Sequence, residues 1–369
     1  MMDVEGLIRH LAEVDDGPFG VLSLQASPVT AALARAFPGR LKALFSAEHG
    51  FFGLAGPGEE TGSLWHPFWN VPCHSLYGKT RKPTAEMTEG LKRLVVDLPD
   101  VGVRCYTYLA TLKLTLEACA EQGIPVTVLD RPTPLGGVLD GPRLDAGFES
   151  FVAPIDVPLC HGMTFGELAV FIVREGRLDL DLTVVPMRRW RHTVRVPWPN
   201  FTQPSPGIPS WDSAALYPAT VFTEAYPALD CDRGGPLSFR VLGAPWLDAR
   251  HLLEDLSAGV TACGLGIRPF RYRPAHGRYA KSAIDGVLLS IDNPEAFYPV
   301  TAGVLLLAGV LVRHSSHMAA GARPEWLAKL MGTDSVLRAI ENDDLGGLFA
   351  SWIEGQDEYL PRRVDNYRS

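Results

Sequence analysis

In LFSAEHGFFG, residues 44–53, an apolar run that reads as a strand stops at two ionisable residues, Glu48 and His49, enclosed by glycine and phenylalanine. A carboxyl among apolar neighbours loses the hydration of its charged form and can keep a proton for donation near neutral pH. The competing reading makes Glu48 a loop carboxylate that pairs with Arg104 or caps backbone amides. His49 beside it suggests a metal. Adjacent residues of an extended chain point to opposite faces, and no H-E-x-x-H or comparable ligand spacing occurs. No metal is expected.

Further candidates follow along the chain. DLPDVGVRCYTYLATL, 97–112, ends a strand with Asp97 and Asp100 and then supplies Arg104, Tyr106 and Tyr108. Such a set hydrogen-bonds a polyhydroxylated or carboxylate-bearing ligand, with Arg104 the bidentate partner for a carboxylate; it equally fits an internal ion pair pinning a strand-to-helix turn. Asp130 and Arg131 open LDRPTPLGG, a ligand loop or a structural one. His161 precedes a helix in CHGMTFGELA, where Thr164 and Glu167 fit a capping box. Glu224 lies among Tyr217, Phe222 and Tyr226 and reads as a second cleft carboxyl or as a surface carboxylate at a helix end. Arg233 and Trp246, in DRGGPLSFRVLGAPW, suit sugar binding by hydrogen bonding and stacking, or a Gly-rich turn packed by Trp.

The elements that must position these groups alternate in the first half. Short apolar runs at 20–25, 41–46, 93–99, 125–130 and 181–187 read as strands; helical patterns fall at 30–37, 84–93, 106–122 and 164–175. That rhythm predicts an α/β parallel sheet with crossover helices. Ligands of such sheets bind beyond the carboxyl ends of the strands, where Gln25–Ser27, Glu48–His49, Asp97–Arg104 and Asp130–Arg131 lie. Four prolines in WPNFTQPSPGIPSW, 198–211, break both regular patterns. The junction is set there, giving a catalytic domain at 1–200 and a smaller α+β domain at 201–369, with strands near 238–245, 267–274 and 284–292 and helices at 248–258, 301–313, 325–331 and 344–356.

A chain of 369 residues, 46% hydrophobic, is ample for two cores. The formal net charge of -8 without a long basic run gives no footprint for nucleic acid. MMDVEGLIRHLAEVDDG lacks the basic start and continuous apolar core of a signal peptide. VTAGVLLLAGVLV, 300–312, is too short to cross a bilayer and reads as a buried helix. Six cysteines without a C-x-x-C pair read as reduced, buried thiols. A cytoplasmic protein with no membrane partner is expected. GPGEETG, 56–62, lacks dinucleotide spacing, and neither a G-x-S-x-G elbow nor a Walker A sequence is present, so no nucleotide or other cofactor is expected. The sequon at Asn200 carries little weight without secretion.

Taken in order, SAEHGFFG, SLYG, DLPDVGVRCYTY, LDRPTPLGG, VPLCHGMTFGELA, PSPGIPS, LYPAT with TE, and LGAPW resemble a family formerly of unknown function that includes exo-β-N-acetylmuramidases of bacterial cell-wall recycling. The resemblance, from about residue 20 to 300, implies a Rossmann-like N-terminal domain, a smaller C-terminal domain and a cleft that removes N-acetylmuramic acid from the non-reducing end of peptidoglycan fragments. The family's E-H-G falls on Glu48, His49 and Gly50, its glutamate being the favoured acid/base. Its D-V-G-x-R-x-Y-T-Y falls on Asp100 to Tyr108, its H-G-M-T on His161 to Thr164, and its later glutamate on Glu224. Arg104 would then read the lactyl carboxylate, an inference from charge.

The chain departs from the family at PSPG (204–207), Ala219, EAYP and DRGG, all in the second half of the expected cleft. The expected partner is a small saccharide or muropeptide. In the expected reaction Glu48 protonates the departing oxygen; Glu224, Asp97, Asp100 or the substrate's own acetamido group takes the second role. The rival expectations are a non-catalytic muropeptide-binding protein and a hydrolase of another N-acetylated sugar.

Overall fold

A computed structural model describes residues 2–14, 17–192, 197 and 201–365. Helix α1 (Val4–Val14) leads into β1 (Phe19–Ser23), α2 (Val29–Ala36), β2 (Leu41–Ser46), the hairpin β3 (Leu64–His66) and β4 (Val71–Ser75), β5 (Arg93–Asp97), α3 (Tyr108–Gln122) and β6 (Val126–Leu129). A short ladder of β7 (Leu139–Asp140) and β8 (Cys160–His161) precedes α4 (Phe165–Glu175) and β9 (Leu182–Val185). The sheet order is β3-β4-β2-β1-β5-β6-β9, with only β3 antiparallel to its neighbour. β1 and β5 are buried along their whole length, as a parallel sheet covered on both faces requires.

Apart from edge strand β3, this is the doubly wound Rossmann-like order, which reverses between β1 and β5. Such a reversal opens a crevice at the strand ends, and here the chain fills it with its own side chains. Asp97, the last residue of β5, is fully buried. It accepts from Ser23 Oγ (3.0 Å) and Ser27 Oγ (2.5 Å), and Arg131 pairs with it at 2.5 Å. Asp130 accepts from Thr164 Oγ1 (2.8 Å) and the Gly166 N–H (2.7 Å), tying the end of β6 to the start of α4. The capping box of Thr164 and Glu167 forms as expected. Asp130 and Arg131 are therefore corrected from ligand contacts to framework.

The second half contains α5 (Trp211–Thr220), a 3-10 turn (Val221–Glu224), β10 (Val241–Ala244), α6 (Ala249–Ala262), β11 (Leu265–Tyr272), β12 (Ile284–Ile291), α7 (Pro299–Met318), α8 (Pro324–Met331), α9 (Ser335–Glu341) and α10 (Leu345–Tyr359). Its sheet, β10-β12-β11, is antiparallel. Helix α7 is longer than the expected 301–313 and, by length and composition alone, apolar enough to cross a membrane. It packs against α5 and α6, with Gly303 so close to the Ala219 backbone that a Cβ would lie 2.6 Å from its carbonyl oxygen. The chain beyond α8 returns to the first half: Tyr359 donates to the His161 carbonyl (2.9 Å). One hydrophobic cluster, from Leu22 to Val364, runs through both halves.

One expectation about elements is corrected. The helix at 84–93 does not form: residues 85–90 make successive turns, Gly90 takes φ +73°, and β5 already starts at Arg93. Helix α5, which the sequence reading does not anticipate, starts where the proline-rich stretch ends: Ser210 caps it, its side chain accepting from the Ser213 N–H, and Pro218 lies in its last turn. The expected junction at residue 200, with Asn200, lies outside the described residues.

Candidate active site

A cavity of about 290 Å³ lies between the carboxyl edge of the large sheet and the second half of the chain. Strand β2 ends at Ser46 and delivers Glu48 two residues later. The chain then turns through His49 (φ +73°) and Gly50 (φ +72°). A left-handed conformation is uncommon for a residue with a side chain; the His49 ring anchors the turn through Nδ1 against the Ala55 carbonyl (2.8 Å). The turn folds residues 51–58 back on Glu48. The Gly58 N–H donates to Oε1 (2.7 Å), and Thr107 Oγ1, just before α3, donates to Oε2 (2.6 Å). Both oxygens are fixed, and the residue is 8% exposed.

The apolar setting expected for this carboxyl is corrected. Phe51 and Phe52 turn away, packing edge-to-face at 5.5 Å and against His66, which stacks on Trp69 at 4.3 Å. The partners of the carboxyl are polar, and its pairing with Arg104 does not occur.

Across the cavity stands Glu224, at the end of the 3-10 turn, its side chain 14% exposed and 3.1 Å from Arg233 Nη2. Burial pushes its carboxyl above the ordinary glutamate range. Arg233 and a hydrogen bond from Trp326 oppose that shift, and the Glu48 charge adds to it. Tyr77, Tyr106, Tyr217 and Phe239 supply aromatic walls. Tyr217 Oη lies 3.6 Å from Cys105 Sγ. Burial raises the phenols of Tyr106 and Tyr217 and pushes the Cys105 thiol up to about 12, so none of them changes charge near neutral pH.

Of the residues expected from the sequence, Glu48, His49, Tyr106, Glu224 and Arg233 meet around this cavity. Others do not. Arg104 is 0% exposed and points into the core, where Nη1 donates to the carbonyls of Pro142 (3.0 Å) and Val157 (2.6 Å), and Nη2 to that of Met331. It cannot read a ligand in the cleft. Asp100 accepts from the Gly102 N–H (3.0 Å) and lies 3.5 Å from His161 Nε2; both side chains are wholly buried away from the cavity. Tyr108 turns behind it and donates to the Pro204 carbonyl (3.0 Å). Trp246 stacks on His317 (5.0 Å) beside a separate surface groove. Asp97, a candidate for the second catalytic role, is committed to the ion pair at the switch point.

Sequence reading missed Gly58, Thr107, Arg323 and Trp326. Gly58 sits in GPGEETG, which reads in the sequence only as a failed dinucleotide pattern. Thr107 lies between the two tyrosines of a quoted motif. Arg323 and Trp326 flank the start of α8, distant in sequence and without a local signal.

These features can be compared with known proteins. The N-terminal family model of the exo-beta-N-acetylmuramidase NamZ matches residues 19–212, and the C-terminal one residues 215–367. The peptidoglycan beta-N-acetylmuramidase NamZ of Bacillus subtilis (strain 168) is 39% identical over 274 residues, covering 73% of this chain and 65% of that protein. Two solved structures of DUF1343 family proteins from Bacteroides fragilis NCTC 9343 share the fold. One has a TM-score of 0.84 at 24% identity, over 99% of this chain and 97% of that one. The other has a TM-score of 0.74 at 25% identity, over 100% and 99%. On the match of its family models along the chain, the protein belongs to the exo-beta-N-acetylmuramidase NamZ family.

Proposed function

We propose that this protein is an exo-acting glycoside hydrolase that releases N-acetylmuramic acid from the non-reducing end of peptidoglycan fragments. The observation that carries the reading is the pair of carboxyl groups, Glu48 and Glu224, facing one cavity from opposite halves of the chain. Glu48 protonates the departing glycosidic oxygen as the ring takes on oxocarbenium character. Glu224, paired with Arg233 at 3.1 Å, supplies in its deprotonated form the negative charge that such a transition state attracts. A cavity of about 290 Å³ accommodates one substituted sugar ring, which favours removal of a terminal residue over cleavage within a strand. Mass spectrometry of digested peptidoglycan fragments is the test. N-acetylmuramic acid is the expected monosaccharide; N-acetylglucosamine or internal fragments as first products would overturn the reading.

Thr107→Val removes one donor to the Glu48 carboxyl and leaves the rest of the cavity in place. A hydrogen bond contributes about 1 kcal/mol, so kcat/KM should fall roughly fivefold; a variant as active as the wild type would show that this bond does not orient the carboxyl. The pH profile gives a second check. Glu224 loses its proton above the ordinary glutamate range, so a reaction that needs its charge declines as pH falls through that raised value. Arg233 holds the value down, and Arg233→Met should therefore move the acid limb of kcat/KM to higher pH. A limb that stays in place would remove Glu224 from the charged role.

We also assign this work to the cytoplasm, on fragments already taken up for recycling. The six cysteines, all buried and unpaired, suit a reducing compartment. Cell fractionation that recovers the protein outside the membrane would sink this assignment.

A further inference from the structure

The cavity is lined by two carboxylates, Glu48 and Glu224, and by two arginines, Arg233 and Arg323. The arginines are not equivalent. Arg233 is committed to Glu224 at 3.1 Å. Arg323 Nη2 donates to the main-chain carbonyl of Glu224, an uncharged acceptor, and among the described residues no carboxylate pairs with its guanidinium. Its backbone is fixed as well: the Arg323 N–H donates to the Ala225 carbonyl (2.8 Å), and Pro324 starts α8 immediately after it. The far end of α8 is held by Arg104, which donates to the Met331 carbonyl, and by Gly332, whose φ of +69° and close approach to Arg104 (2.5 Å from an added Cβ to Nη2) leave no room for a side chain. A cation at the start of a helix clamped at both ends thus faces the cavity with no carboxylate in direct contact among the described residues, although its charge also helps hold the Glu224 carboxyl down.

We propose that Arg323 is the specificity residue that binds the lactyl carboxylate of N-acetylmuramic acid. This rests on the hydrolase reading above and deepens it. N-acetylglucosamine differs from N-acetylmuramic acid by lacking that group, so the carboxylate is the feature a selective site must read. A guanidinium presents a planar fork of donors that matches a carboxylate, and with one Nη already fixed on a carbonyl its remaining donors are oriented in advance. Arg233 cannot serve without giving up Glu224. Arg104, which charge alone suggested, is in the core and acts on the same helix from behind.

The experiment compares wild type, Arg323→Met and Arg323→Lys in two measurements. One is kcat/KM on chromogenic N-acetylmuramide against N-acetylglucosaminide; the other is calorimetric affinity for free N-acetylmuramic acid against N-acetylglucosamine. The expected result is a muramic over glucosamine preference that falls about 30-fold in Arg323→Met and is partly restored in Arg323→Lys, which keeps the charge without the fork. A preference unchanged within about threefold overturns the proposal, whatever happens to either rate alone, and so does a wild type with no preference in either measurement. A wild type that prefers N-acetylmuramic acid in binding but hydrolyses neither sugar overturns the hydrolase reading instead, and the binding ratio of the variants still decides the role of Arg323.

Discussion

Glu48→Gln is expected to lower kcat/KM on the natural disaccharide linkage by about 10³-fold, within the range that a positioned general acid contributes. The substitution is close to isosteric. Its amide oxygen can still accept from the Gly58 N–H, and its amide NH₂ can donate to the Thr107 hydroxyl, which rotates to accept. Stability should therefore change by less than about 0.5 kcal/mol, and the loss of rate is chemical rather than structural. The leaving group sharpens the test. An acid matters most when the departing oxygen is a poor leaving group, so the deficit should be large on a sugar–sugar bond and much smaller on a nitrophenyl glycoside. Equal deficits on both, or turnover of the disaccharide within a few fold of wild type, would remove Glu48 from the acid role.

Arg104→Ala is expected to cost about 4 kcal/mol of folding stability, read from the midpoint of chemical denaturation. The guanidinium has no solvent exposure and satisfies three carbonyls from three segments: Pro142 and Val157 in the first half and Met331 at the end of α8. Burial lowers its pKa to about 10, so it remains charged at neutral pH. Truncation removes the donor to the Val157 and Met331 carbonyls, while Pro142 keeps the Leu159 N–H (3.0 Å), and opens a hole where the side chain was. Arg104→Lys should also be clearly destabilised, because a single ammonium cannot span the positions that the fork reaches. Since α8 carries Arg323 and Trp326 into the cavity, Arg104→Lys should raise KM more than it lowers kcat. A midpoint unchanged within error for both variants would show that the clamp contributes little.

Arg104 also marks the limit of what its motif could say. In DVGVRCYTY its type and company pointed to a ligand carboxylate, and nothing in those residues reveals which way a side chain points. Gly102 at φ +82° and the turn that follows send Arg104 into the core while Tyr106 and Thr107 face the cavity. The same holds for Asp130 and Arg131: strand ends were located correctly, but the switch-point crevice is filled by Asp97, Ser27 and Arg131 themselves. A surplus of polar side chains at a strand edge does not distinguish a site that awaits a ligand from one that satisfies itself.

By itself the sequence determined five of the seven strands of the large sheet, because the period of apolar residues and the capping of α4 are local properties; the hairpin β3–β4 carried no such signal. It also located Glu48 at a strand end and flagged Glu224. Only the tertiary structure decided which polar groups meet. Glu48 is held by Gly58 and Thr107, ten and 59 residues away, and the cavity is closed by Arg323 and Trp326 from near the end of the chain. The physical reason is that periodicity and propensity act over a few residues, whereas the geometry of a site depends on long-range packing and on the direction in which each backbone turn projects its side chains.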